Sequence, residues 1–224
     1  MKTNQNLTIL ILLFFFNLGF SQSNNGKIPF YAQPYYNSEP LTITIGKYKK
    51  ELLTNNVNEL KKVEQKIKKN INDTDIESLY ILSIRLYDLK QKDDAFYWFQ
   101  TAKSRARIFI NMLDKEKIGG IGSIAFETKQ FFNSCNQLVG VYINGYGFND
   151  LEKCIAIYEK VQSEVKTIQS YKNVYPNINF IEDTNIENEK LKKEKELQEG
   201  ITYVKENKAK IMQQRKDNGI QDKY

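Results

Sequence analysis

The segment 74–110, TDIESLYILSIRLYDLKQKDDAFYWFQTAKSRARIFI, carries apolar residues at helical spacing on both sides of one short polar turn. No other stretch constrains the fold as strongly. Leu79, Leu82, Leu86 and Leu89 follow at steps of three and four, so they share one stripe of a helix. Tyr80, Ile84 and Tyr87 widen that stripe, as expected for a helix contacted on two sides. Thr74 with Glu77 three residues on has the spacing of a capping box, which predicts the start of this helix. Lys90 to Asp93 break the pattern. A second helix is expected to open at Asp93 or Asp94, where an acid suits the positive end of the helix dipole. It would turn Ala95, Trp98, Phe99, Ala102, Ala106 and Phe109 inward, and the small residues among them let the facing helix approach closely.

This pattern resembles a single tetratricopeptide-type or Sel1-like repeat, with Leu79, Leu82, Ser83 and Leu86 at the signature positions of its first helix and Ala95, Phe99 and Ala102 at those of its second. Lys90 stands where that family has a turn glycine, and Arg107 where it often has the closing proline. The resemblance implies stacked helical hairpins and protein binding, and it brings no catalytic residues. The chain also resembles a group of exported bacterial helical proteins without an assigned function. The shared features are Phe96-Tyr97-Trp98-Phe99 with Arg105 and Arg107, Tyr142-Ile143-Asn144-Gly145 leading into Phe148-Asn149-Asp150, and an ending in Arg215 and Asn218-Gly219.

Residues 1–21 begin with Met1-Lys2, run through apolar residues from Leu7 to Phe16 and end on Gly19-Phe20-Ser21 ahead of Gln22. This is the pattern of a signal peptide. About fourteen mostly apolar residues, interrupted by Asn17, are short of the roughly 20 that span a bilayer. The expected destination is the periplasm or the medium of a bacterium, with no stable membrane insertion after cleavage. Residues 22–45 form a polar, extended lead-in punctuated by Pro29, Pro34 and Pro40, with Phe30, Tyr31, Tyr35 and Tyr36 expected to pack onto nearby helices. Leu41 to Ile45 alternates as a strand does, but it has no evident partner and reads as leading into a helix.

Residues 46–217 read as one α-helical domain, in keeping with only 11 Gly and 4 Pro in 224 residues. Leu52, Val57, Leu60, Val63 and Ile67 mark one or two amphipathic helices whose solvated face carries Lys61, Lys62, Lys66, Lys68 and Lys69. The IGGIGS stretch ending at Ser123 lacks the preceding strand and the lysine–hydroxyl pair of a phosphate cradle, so it reads as a connection. A second hairpin is expected over 123–170. Phe126, Phe131, Phe132, Cys135, Leu138, Val139 and Tyr142 would form its first helix. Gly145 and Gly147 would take positive φ in a turn from Asn144 to Asn149. Asn149 or Asp150 would cap a second helix lined by Leu151, Ile155, Tyr158, Val161, Val165 and Ile168. Val174 to Asp183, with Pro176, is a loop. From Asn185 to about Asp217 one long, mostly exposed helix is expected, docked by Ile186, Leu191, Leu197, Ile201, Val204 and Ile211 and stopped by Asn218-Gly219; residues 218–224 form a tail.

The chain has no histidine and two cysteines, which removes the commonest general base and metal ligand and excludes serine triads. No cofactor and no metal are expected. In an oxidising compartment Cys135 and Cys154 could form a bridge between the helices of the second pair; the alternative, two buried free thiols, is favoured because each lies a different number of helical turns from the connection between them. Glu127, among Phe126, Phe131 and Phe132, is the acid whose burial would most readily raise its pKa. The formal charge of +6 is spread among glutamates, so nucleic acid is not expected. The leading expectation is an exported, non-catalytic α-helical protein that binds an envelope protein through Tyr80, Arg85, Tyr87, Tyr97 and Arg105, the residue types that concentrate binding energy. The alternatives are an envelope glycan or peptidoglycan hydrolase or its inhibitor, and a toxin-neutralising partner.

Overall fold

The computed structural model describes residues 46–220 and 223–224. The signal segment, the lead-in and Leu41 to Ile45 lie outside them. The described residues are all-α, with one isolated antiparallel bridge, Leu113 to Phe180, as their extended pairing.

The chain enters through a 3₁₀ turn, Glu51–Leu53, that buries Leu52. Helix α1 (Val57–Lys69) follows, capped by the Asn56 side chain accepting from the Asn58 and Glu59 amides. Its stripe of Leu60, Val63 and Ile67 is buried as the spacing predicts, while Lys62, Lys66, Lys68 and Lys69 are exposed. Helix α2 (Ile76–Asp88) is capped by Asp75 and not by Thr74. Asp75 accepts from the Ser78 amide at 2.7 Å and also from the Lys47 amide at 3.0 Å. A carboxylate therefore satisfies two separate segments where the capping box would have served one. Glu77, the other half of that expected box, is buried and bonded elsewhere.

Between α2 and the next helix the chain turns through Leu89, Lys90 and Gln91. The Lys90 amide bonds to Tyr87 O at 3.0 Å and the Gln91 amide to Leu86 O at 2.8 Å, with Lys90 at φ +65°. That is a Schellman closure, and its left-handed position is filled by lysine instead of glycine. Helix α3 (Lys92–Met112) starts one or two residues earlier than Asp93 or Asp94, and no side chain caps it. Its residues Ala95 to Ala102 are buried without a break. At 3.6 residues per turn this covers every direction around the axis, so α3 is enclosed and not docked on one face. It packs along α2, with Tyr80 and Phe99 rings 5.9 Å apart, and also touches the helices that follow.

A connection through Gly119 and Gly122, at φ +74° and +90°, leads to α4 (Ile124–Ser134). The helix does not stop there. It runs through a π-helical turn, Cys135–Val139, into α5 (Gly140–Gly147). The expected turn at Asn144 to Asn149 is thus mostly helix, and Gly145 and Gly147 are not at positive φ. Their lack of a side chain serves close packing: a Cβ on Gly147 would lie 2.3 Å from the Phe96 ring, and one on Gly145 would lie 2.4 Å from Tyr224. Helix α6 (Leu151–Val165) is capped by Asp150, as expected, through its bond from the Lys153 amide. The pairing expected for this second hairpin is different, because α5 packs on α3, α6 packs on α3 and on the later helix Ile186–Glu206, and α5 and α6 touch each other only lightly.

The segment 166–185 straps the end of α3. The Asp114 amide bonds to Asn179 O and the Ile181 amide to Met112 O. Phe109 sits inside a ring of Phe132, Tyr171, Tyr175 and Phe180, at centroid distances from 4.8 to 5.4 Å. The C-terminal helix is two helices, α7 (Ile186–Glu206) and α8 (Lys208–Asp217), broken at Asn207. Ile186, Leu197, Ile201 and Val204 dock it, but Leu191 is 61% exposed. Gly219, at φ +60°, ends α8 in the same Schellman pattern, with the Ile220 amide bonded to Arg215 O. No described helix is long and apolar enough to cross a membrane.

Candidate functional site

Four of the five residues expected to form a binding face are inside the molecule. Tyr80 is fully buried, and its hydroxyl donates to Asn136 Oδ1 at 2.9 Å. Tyr87 is buried with Lys92 Nζ 5.0 Å from its ring centroid. The Tyr97 hydroxyl donates to the Glu164 carboxylate at 2.8 Å, and Lys160 Nζ stands 3.7 Å over its ring. Arg105 is buried, with Nη2 donating to Asn72 Oδ1 and its carbonyl accepting from the Tyr171 hydroxyl. Arg85 is half-buried and spends its guanidinium on Leu52 O, Thr54 O, Asn55 and Asp88, which fastens the entry segment to α2. Aromatic and arginine side chains on α2 and α3 therefore join helices to one another. Residue type alone marks these side chains out, and along Ala95 to Ala102 α3 leaves no side uncovered.

Two clefts offer surface instead. The first, about 360 Å³, lies where α1, α3 and α6 converge. Its walls are charged and internally paired. Lys61 Nζ reaches Asp94 at 2.5 Å and Glu64 at 2.9 Å, while Glu64 also accepts from Trp98 Nε1 at 2.8 Å. Burial works against the Lys61 charge, but the hydrogen bonds to Asp94 and Glu64 outweigh it and hold its pKa above the ordinary lysine value. Lys153 Nζ and the Tyr146 hydroxyl both donate to Asp93 at 2.8 Å. Those bonds overcome the burial that would raise the Asp93 carboxyl and leave it below the usual carboxylate range. The acids of this cleft are thus each tied to a lysine, an arrangement suited to structural pairing.

The second cleft, about 580 Å³, lies between the π turn and α5 on one side and α8 with the C-terminal Tyr224 on the other. Asn136, Gln137, Asn144 and Gln214 supply amides to it, and Arg215 forms part of its wall. Val141 in its lining is 56% exposed, and Leu138 of the π turn is 47% exposed. Spacing marked none of the polar residues of this lining as a site. Leu138 was expected to face inward, and the π turn, which inserts an extra residue into the ladder, is what rotates it out.

Glu77 carries a raised pKa, and Glu127 is not enclosed as its aromatic neighbours suggested. Glu127 is half-buried and caps the connection by accepting from the Gly122 amide at 2.9 Å. Glu77 is 4% exposed and accepts from the Tyr175 hydroxyl at 2.5 Å, while that hydroxyl oxygen accepts from the Ile76 amide. Burial lifts its carboxyl to about 7, with neighbouring Asp75 adding to the lift and the Tyr175 bond opposing it. Glu77 lines neither cleft, so it meets no substrate there. Cys135 and Cys154 are free and buried, and burial raises both thiols, that of Cys154 to about 12. Among the described residues no group of three or more Cys, Asp and Glu side chains is placed to hold a metal ion.

No protein-family model matches the chain, and neither a curated protein nor a solved structure matches it.

Proposed function

We propose that this chain is an exported, non-catalytic α-helical protein that binds another protein of the bacterial envelope. The observation that carries the reading is the second cleft. It combines side-chain amides with an apolar side chain left in water at Val141, a mixture suited to recognition. Support also comes from the chemistry of the acids: those of the first cleft are locked in ion pairs, and Glu77, the one shifted toward neutrality, is sealed under Tyr175. Export rests on residues 1–21, and the repeat-like helix pair accords with a binding role.

The test is affinity capture by the chain from an envelope extract of its own source. One protein retained in stoichiometric amount is the expected result. Retention of glycan alone, or turnover of peptidoglycan by the purified chain, would replace this reading with the hydrolase or inhibitor alternative.

A further inference from the structure

The second cleft contains a buried cation without a counter-charge. Arg215 is 6% exposed, and its Nη2 donates to Asn149 Oδ1 and to Ile220 O. Both acceptors are neutral. Its Nε is buried with no hydrogen-bond partner, and Arg215 takes part in no ion pair among the described residues. A guanidinium taken out of water needs both acceptors and opposite charge, and here it lacks part of each. In the first cleft, by contrast, Lys61 and Lys153 already hold their acids.

We infer that the second cleft seats an acidic segment of a protein partner, with one carboxylate of that segment closing on the Arg215 guanidinium. This rests on the protein-binding reading above and names the partner's chemistry. A carboxylate matches the planar array of guanidinium donors. One arginine balances one carboxylate, whereas a phosphate near neutral pH carries closer to two charges and would call for a second cation. The remaining lining suits a peptide. Asn136 Oδ1 accepts from Tyr80 and Asn144 Oδ1 accepts from Gln100 at 2.7 Å, which leaves their NH₂ groups as donors for backbone carbonyls. Gln137, Gln214 and Asn218 carry both a donor and an acceptor for the peptide backbone. Exposed Val141 offers apolar contact to the side chains between. The volume of about 580 Å³ falls within the range of roughly 300–1,000 Å³ common for ligand sites.

The experiment pans a displayed library of random decapeptides against the full chain and measures binding of a recovered synthetic peptide to variants. Val141 is exposed, so Val141→Glu and Val141→Lys keep the fold while setting opposite charges in the cleft. The expected result is recovered peptides sharing Asp or Glu, at least tenfold weaker binding to V141E and to Arg215→Met, and binding to V141K at least tenfold tighter than to V141E. Recovery of no peptide, of peptides without a carboxylate, or equal binding to V141E and V141K would overturn the inference. A partner captured from envelope extract that binds V141E as it binds the wild type also overturns the cleft assignment, while leaving the protein-binding reading standing. An extract that yields no protein partner removes that reading itself.

Discussion

Replacing Glu77 with Gln isolates the contribution of one buried proton to stability. The carboxyl lies under Tyr175 with a folded pKa near 7 against an ordinary value of 4.5, so between those values the native chain holds a proton that the unfolded chain releases. Where the native state binds more protons, stability falls as pH rises. The stabilisation is therefore fully present below about pH 4.5 and is lost as pH climbs through 7. A difference of about 2.5 at about 1.4 kcal/mol each comes to roughly 3.5 kcal/mol. In urea unfolding at pH 5 and pH 8, the wild type should lose on that order of stability beyond whatever E77Q loses. E77Q has no proton to release but places an extra NH₂ group in the site, so it should be the weaker protein at pH 5 and close the gap by pH 8. Parallel pH dependence in the two proteins would show that Glu77 is not the buried proton carrier and would refute the argument.

Lys90→Gly should raise stability by about 1 kcal/mol, read from the thermal midpoint, because it removes a Cβ from a left-handed position at φ +65°. Gly147→Ala should destabilise by roughly 1–3 kcal/mol, since its Cβ would meet the Phe96 ring at 2.3 Å in a fully packed interior. Gly200→Ala, in the exposed middle of α7 with nothing within 4 Å, should instead stabilise by roughly 0.5–1 kcal/mol; the opposite signs in one melting experiment check the packing directly. Neither Cys135 nor Cys154 should react with a water-soluble disulfide reagent until the chain is denatured, because both are 0% exposed and their thiols are held protonated.

Local features of this chain were legible because their causes are local. The stripe of Leu79, Leu82 and Leu86 is buried, Asp150 caps α6, and Asn218-Gly219 ends α8 at positive φ, each following from residues within one helical turn. The same holds for the glycine connection around Gly119 and Gly122. What could not be read was the cover laid on each helix by segments far along the chain. Tyr175 reaches Glu77 across 98 positions and Tyr171 reaches Arg105 across 66, and those contacts turn an expected capping acid and a candidate surface arginine into internal ties. Periodicity assigns a residue to a face of its own helix, but whether that face meets water depends on which other helices close over it. Glycine shows the division most plainly. The sequence by itself determined that Gly219 permits a left-handed stop, a property of one residue's backbone. Only the tertiary structure decided that Gly147 must be bare, because the group it makes room for, the Phe96 ring, is brought there by packing of α3 against α5.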